Sequence, residues 1–272
     1  MAVKRFARSG SGRNREATYR TRCDDGSMPT SSSQPQGRPA GRSRAHETVI
    51  HRVEEQITDG TLSVGDRLPP ERDLAARLGV SRAAVREAMR ALEALGVVRA
   101  GVGVGRDSGT VLSSMPSEAL TQMLRLHIAL ANFPADDVIE ARVMLERWSA
   151  GLAARHASDD DRARLRDLVE RMEAPDIARD DFNELDTAFH VAIAEAGRNR
   201  LVADMTSAIR GSMRRAILDS FYAHPDWESV QSRLRDGHRR VLAAIDSGEG
   251  SRAADEVEEH IRYAFSVLSW GA

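Results

Sequence analysis

The chain has 272 residues, room for two domains of ordinary size, with 41% hydrophobic and 29% charged residues and a formal net charge of −2. That hydrophobic content indicates a globular protein with a core, and no apolar run reaches the 18 residues expected of a membrane-spanning helix. A single cysteine, Cys23, excludes an intramolecular disulfide framework and suits a reducing, cytoplasmic compartment.

The near-neutral total conceals a gradient. Residues 1–45 carry ten Lys/Arg against three Asp/Glu, residues 46–114 nine against ten, and residues 115–272 twenty against twenty-eight. The first 45 residues are rich in Arg, Ser, Gly and Pro and read as a disordered basic tail without a signal-peptide pattern. Two roles stay open for the tail: an arm adding salt-dependent DNA affinity, or an extension of no consequence, with Met28 as an alternative start. The acidic C-terminal part is a poor nucleic-acid surface.

Residues 46–58 place Val49, Ile50, Val53 and Ile57 on one helical face. From Leu68 the chain reads LPPERDLAARLGVSRAAVREAMRALEALGVV. Leu74, Ala75 and Leu78 recur at helical spacing, and so do Val85, Ala88, Met89, Leu92 and Leu95. Gly79 suits the position just past a helix end, and Ser81 the N-cap of the next helix. Two short helices meeting at a glycine turn form a helix-turn-helix, whose second helix can lie in the DNA major groove. Arg82 and Arg86 lie four apart opposite the apolar stripe, within reach of guanine edges or phosphates. An ordinary helical hairpin with solvated arginines is the alternative. Val97 and Val98 then begin a strand, GVGVGRDSGTVL turns, and Thr110 to Leu112 returns, as the two strands of a wing.

Residues 46–112 resemble the DNA-binding domain of the GntR family of bacterial transcription regulators. Matching positions include Gly60, Leu62, Gly65, Leu68, Pro69, Glu71, Arg72, Gly79, Val80, Ser81, Arg82, Val85, Arg86, Glu87 and Ala88. The resemblance implies a winged helix in which Arg72, Arg82 and Arg86 contact DNA beside Ser81 and Ala84. It likewise implies that the wing tip, with Gly103 and Arg106, enters the minor groove. Ala83 and Ala84 stand where relatives often carry hydroxyl residues, and the wing is extended, so the resemblance does not specify an operator.

From Pro116 onward the pattern is helical throughout, with helices expected at 117–131, 135–156, 159–172, 176–196, 199–221, 226–247 and 250–269. Short loops make neighbours antiparallel, as in a bundle. Val138, Ala141, Met144, Leu145 and Trp148 form an expected core face. Polar residues inside apolar stripes stand out: Asp186 and His190 four apart, His238 near Val241 and Leu242, and His260 beside Val257 and Ile261. Each histidine alone reads as a satisfied core residue. Together, one Asp and three His on three helices suit a divalent ion, Zn²⁺ first, with Ni²⁺, Mn²⁺ or Fe²⁺ as alternatives.

Residues 117–268 are similar to the FCD ligand-binding domain of the FadR subfamily within GntR regulators. The signature is Asp186-x-x-Phe189-His190, then Ala196, Asn199 and Leu201, with His238 and His260 in the last two helices. The resemblance implies that Asp186, His190, His238 and His260 coordinate a divalent ion that, with Arg142, holds the carboxylate of a small organic acid. Asn199, Ser212 and Arg214 are its weaker pocket-wall candidates. Pairing of Arg142 with Glu146 is the competing reading.

The expected fold is mainly α: a basic tail (1–45), a winged helix-turn-helix with a small β-wing (46–114) and an all-α antiparallel bundle of FCD type (115–272). The expected function is a homodimeric, metabolite-responsive DNA-binding regulator, a repressor, without catalytic residues. Two alternatives are a purely dimerising helical domain and a metalloenzyme fused to a DNA-binding module. Against the latter stands the lack of a general base beside the ligands, such as an HExxH helix.

Overall fold

The structure, a computed structural model, describes residues 40–101, 109–114, 116–130 and 132–268. Among these residues it contains ten helices and one two-stranded antiparallel sheet, enclosing two separate hydrophobic cores.

The first core belongs to a winged helix. Helix α1 (Ala40–Thr58) buries Val49 and Val53, one turn apart, while Ile57 on the expected inner face is exposed. Helix α2 (Glu71–Leu78) starts after Pro70, whose fixed backbone suits a helix entry, and buries Leu74 and Ala75. It ends at Gly79 in the left-handed region (φ 65°), where the glycine N–H closes onto the Ala75 carbonyl. Helix α3 (Arg82–Ala94) is capped by the Ser81 hydroxyl, which accepts from the Ala84 N–H at 3.1 Å. It turns Val85, Ala88, Met89 and Leu92 inward. Strands β1 (Val98–Gly101) and β2 (Gly109–Leu112) pair with Val98 opposite Leu112, and both of those side chains join the core.

The second core belongs to seven helices: α4 (Pro116–Ala129), α5 (Ala135–His156), α6 (Asp159–Met172), α7 (Arg179–Ala196), α8 (Arg200–Ala223), α9 (Trp227–Asp246) and α10 (Gly250–Val267). Their bounds follow the expected ones to within a few residues. A capping box between Ser158 and Asp161 starts α6. Side-chain caps from Asn199 and Asp226 start α8 and α9. Helix α5 packs against α7, α8, α9 and α10. That central position explains why it carries a buried arginine and glutamate as well as apolar residues. The expected core face of α5 needs correction: Val138 and Leu145 are buried, but Met144 and Trp148 are 65% and 50% exposed. Their spacing marks a helical face without saying whether this chain covers it.

Candidate metal centre and DNA-binding face

Three helices contribute a polar cluster inside the second core. Asp186 and His190 stand one turn apart on α7, His238 comes from α9 and His260 from α10, and none is more than 6% exposed. Their ligand-capable atoms all lie within 4.8 Å of one another. The three imidazole Nε2 atoms converge on one carboxylate oxygen. Asp186 Oδ1 is 2.9 Å from His238 Nε2 and 3.8 Å from the Nε2 of both His190 and His260. The rings pack against each other, with centroids 4.4 Å apart for His238 and His260 and 5.1 Å for His190 and His260.

A charged layer supports the cluster. Arg210 on α8 is fully enclosed. Its Nη1 donates to Asp186 Oδ2 at 2.7 Å, while Nε and Nη2 fork onto Glu146 Oε1 and Oε2 at 2.9 and 3.0 Å. Glu146 on α5 also accepts from Arg142 Nε at 2.7 Å. Its Oε2 lies 2.6 Å from His190 Nδ1, at an angle that makes no hydrogen bond. Burial opposes the negative charge of Glu146, but Arg210 and Arg142 outweigh it and hold the carboxyl well below its ordinary range. Asp186 is held low in the same sense, chiefly by Arg210 and then by the histidine contacts. Burial, reinforced by the Arg210 charge, pushes His190 down to about 4. Burial and the neighbouring His238 push His260 well below its ordinary value. At neutral pH these groups are therefore two carboxylates and neutral imidazoles, the protonation states that metal ligands require.

The donor chemistry fits a divalent cation. Both ring nitrogens of His190, and Nδ1 of His238 and His260, are buried without hydrogen-bond partners among the described residues. Unpaired buried polar atoms are destabilising, and a cation accepting the Nε2 lone pairs would relieve part of that deficit. A close approach also shapes the site. Gly237, inside α9, is where a Cβ would stand 2.5 Å from His260 Nδ1, so any larger residue would displace that ring.

Arg142 shares a cavity with Asp186 and His260, but its Nε is committed to Glu146, as the competing reading anticipated. The cavity is narrow, with room for about one water-sized group. Neither Asn199 nor Arg214 lines it: the Asn199 side chain caps α8 through the Val202 N–H, and Arg214 is half-exposed beside Glu184. Ser212 donates to the Ile209 carbonyl. Sequence reasoning weighed Glu146 only as a partner for Arg142, and it missed Arg210 and Gly237. Two signals were available for the missed pair. Arg210 continues the stripe of Met213 and Ile217, and Gly237 is a helix-weakening residue in a helix interior.

On α3, Arg82, Arg86 and Arg90 occupy successive turns and are all exposed, on the side away from the core. Arg72, at the start of α2, is exposed and pairs with Asp73. Ser81 is used as the cap. Ala84 is 5% exposed, so its side chain offers little surface on that side of the helix. Ala83 is the exposed one of the pair. Gly103 and Arg106 lie outside the described residues.

Comparison with known proteins places both regions. Residues 45–106 match the profile of bacterial regulatory proteins of the gntR family, and residues 137–263 match the FCD domain. The HTH-type transcriptional regulator LutR of Bacillus subtilis is 29% identical over 215 residues, covering 78% of this chain and 96% of the relative. The Glc operon transcriptional activator of Escherichia coli is 28% identical over 224 residues, covering 79% and 85%. Among solved structures, a GntR protein of Streptococcus agalactiae superposes with a TM-score of 0.55 at 24% identity, covering 81% of this chain and 99% of that one.

Proposed function

This chain belongs to the GntR family and carries an FCD domain, which makes it a DNA-binding transcription regulator, and we infer that it is a homodimeric, cytoplasmic repressor of the FadR type that releases its operator on sensing a small organic acid. A two-fold dimer would present two α3 helices to a short pseudo-palindrome, with Arg82 and Arg86 on the bases or phosphates, Arg72 on the backbone and the wing beside them. Asp186, His190, His238 and His260 would hold a divalent ion, Zn²⁺ first, with Ni²⁺, Mn²⁺ or Fe²⁺ as alternatives. When bound, that ion supplies an electron-pair acceptor for a carboxylate. Arg142 lines the same cavity, and its guanidinium would be the group that holds that carboxylate.

One observation carries the sensing role: three buried imidazoles and a carboxylate converge, and two of these groups, Asp186 and His260, share a cavity with the buried Arg142. Their charges support it as well. With neutral imidazoles, Glu146 and Asp186 balance Arg142 and Arg210, so a bound dication leaves a positive excess that an anion would offset. A ligand that favours one arrangement of the dimer shifts operator affinity by about 5- to 150-fold. The test is operator binding by metal-loaded protein during titration with carboxylates, on a DNA site selected from a random pool. Unchanged affinity with every acid would sink the switch.

A second reading, in which the helical domain only dimerises, draws on the narrowness of the cavity and the engagement of Arg142 by Glu146. Metal analysis separates the two. Stoichiometric metal in the wild type and none in the Asp186, His190, His238 and His260 alanine variants supports sensing, whereas metal-free wild type supports dimerisation alone.

A further inference from the structure

We propose that α4 carries the two-fold contact of the dimer, its outward face pairing antiparallel with the same helix of a second copy of this chain; this rests on the homodimer reading above. The observation behind it is an apolar seam left in solvent among the described residues. Ala119, Met123, Leu126 and Leu130 recur at intervals of four, three and four residues, the spacing of a coiled-coil stripe. Met123, Leu126 and Leu130 are 46%, 55% and 69% exposed. Leu130 lies just past the end of α4 but keeps its turn, its N–H donating to the Leu126 carbonyl at 3.0 Å. The opposite side of α4 serves the fold. There Leu124 and Ile128 pack on the second core, and Thr121 meets α8 at Gly211, where a Cβ would stand 3.0 Å from the threonine methyl.

The seam continues onto the winged helix. Ala94 and Leu95, at the end of α3, join Pro116, Ala119, Met123 and Leu126 around a groove of about 520 Å³. Contiguous exposed apolar surface of this kind marks an interaction site.

The pattern of the seam selects a second copy as its occupant. The spacing reads the same in both directions, so an antiparallel partner sets Met123 against the partner's Leu126 and Ala119 against the partner's Leu130, a small side chain facing a large one. The same register brings Gln122 opposite the partner's His127, a pair able to hydrogen-bond. Glu118 and Arg125, the charged residues of α4, fall about a third of a turn away, so closing the seam buries neither. The competing patch, Met144 and Trp148 on α5, lacks this character. It is ringed by Arg147, Asp255, Glu258 and Arg262, already paired across α5 and α10, and covering them would strip water from both signs of charge. Because Leu95 follows α3 directly, an axis at α4 lies beside the ends of both recognition helices and sets their spacing on DNA.

The test is sedimentation equilibrium of the full-length chain, with the helical circular-dichroism signal as the check on folding. Leu126→Glu and Leu130→Glu should each weaken dimerisation about a hundredfold, since each carboxylate enters the seam twice, while Trp148→Glu leaves it unchanged. Leu130→Glu lies past the last residue of α4 and decides the matter should Leu126→Glu unfold. Met123→Glu combined with Leu126→Lys should dimerise at least about tenfold more tightly than Leu126→Glu, because an antiparallel pair sets those opposite charges together and a parallel one sets like against like. A double variant as weak as Leu126→Glu would overturn the antiparallel pairing. Seam variants that dimerise like wild type, or dissociation confined to Trp148→Glu, would overturn the placement on α4 and leave the homodimer standing. A monomeric wild type would overturn both.

Discussion

In the winged helix, α3 turns Val85, Ala88, Met89 and Leu92 into the core and leaves Arg82, Arg86 and Arg90 in solvent. In the helical domain the arrangement is inverted. Arg142, Glu146, Asp186, His190, Arg210, His238 and His260 lie inside the core, none more than 6% exposed. The first region separates the residues that hold the fold from those that meet a partner. In the second, on the sensing reading proposed above, they would be the same residues, because a pocket for a small ligand must be walled by the core itself. The exposed arginines of α3 can therefore vary with little effect on folding, whereas on that reading a change in the cluster would alter stability and ligation together.

The sharpest way to break this contrast is Arg210→Met. Removing that guanidinium leaves Asp186 buried without its arginine and Glu146 with Arg142 alone, with an expected loss of about 3–5 kcal/mol of stability by denaturant unfolding. A loss no greater than that of an exposed arginine substitution would mean the buried network is not structural.

The next effect is in the pH profile of metal-stripped protein. His190 titrates at about 4 in the fold against an ordinary 6.5. The folded state then binds fewer protons than the unfolded state between those values, so stability is full above 6.5 and declines as the pH falls to about 4. The decline attributable to this group is on the order of 3 kcal/mol. The fold of His190→Gln should lack that portion of the slope, and identical pH profiles for variant and wild type would refute the assignment. Asp186 and Glu146, held low, add a further loss as the pH falls below the ordinary carboxylate range, where the unfolded chain takes up protons that the fold does not.

A smaller effect is expected of Gly237→Ala. The added methyl pushes the His260 ring away and should weaken metal binding about ten- to hundredfold in a competition titration, while the helical circular-dichroism signal persists. Unchanged metal affinity would show that the ring moves without consequence. Smallest in its effect on the fold is Arg86→Ala. Operator affinity should drop by about 1–3 kcal/mol in a binding titration. Its unfolding midpoint should stay within about 0.5 kcal/mol of wild type. A large stability loss there would dissolve the contrast between the two regions.

The element boundaries were legible in the residues because local signals coincide with them: Gly79 in the left-handed region after α2, Ser81 capping α3, and Ser158 with Asp161 starting α6. Periodicity marked His190, His238 and His260 as polar residues on apolar faces, and the structure brings them together with Asp186. Periodicity did not show which faces this chain covers, and Met144 and Trp148 were misread for that reason.

By itself, then, the sequence determined the helices, the turn between α2 and α3, the family and the residue types available for ligation, since all of these rest on neighbours within one or two turns. Only the tertiary structure decided that Arg210 from α8 reaches both Glu146 on α5 and Asp186 on α7, and that Gly237 makes room for His260. Those facts depend on how far apart helices settle and how they are rotated. Packing of the whole core sets both, and no single segment encodes either.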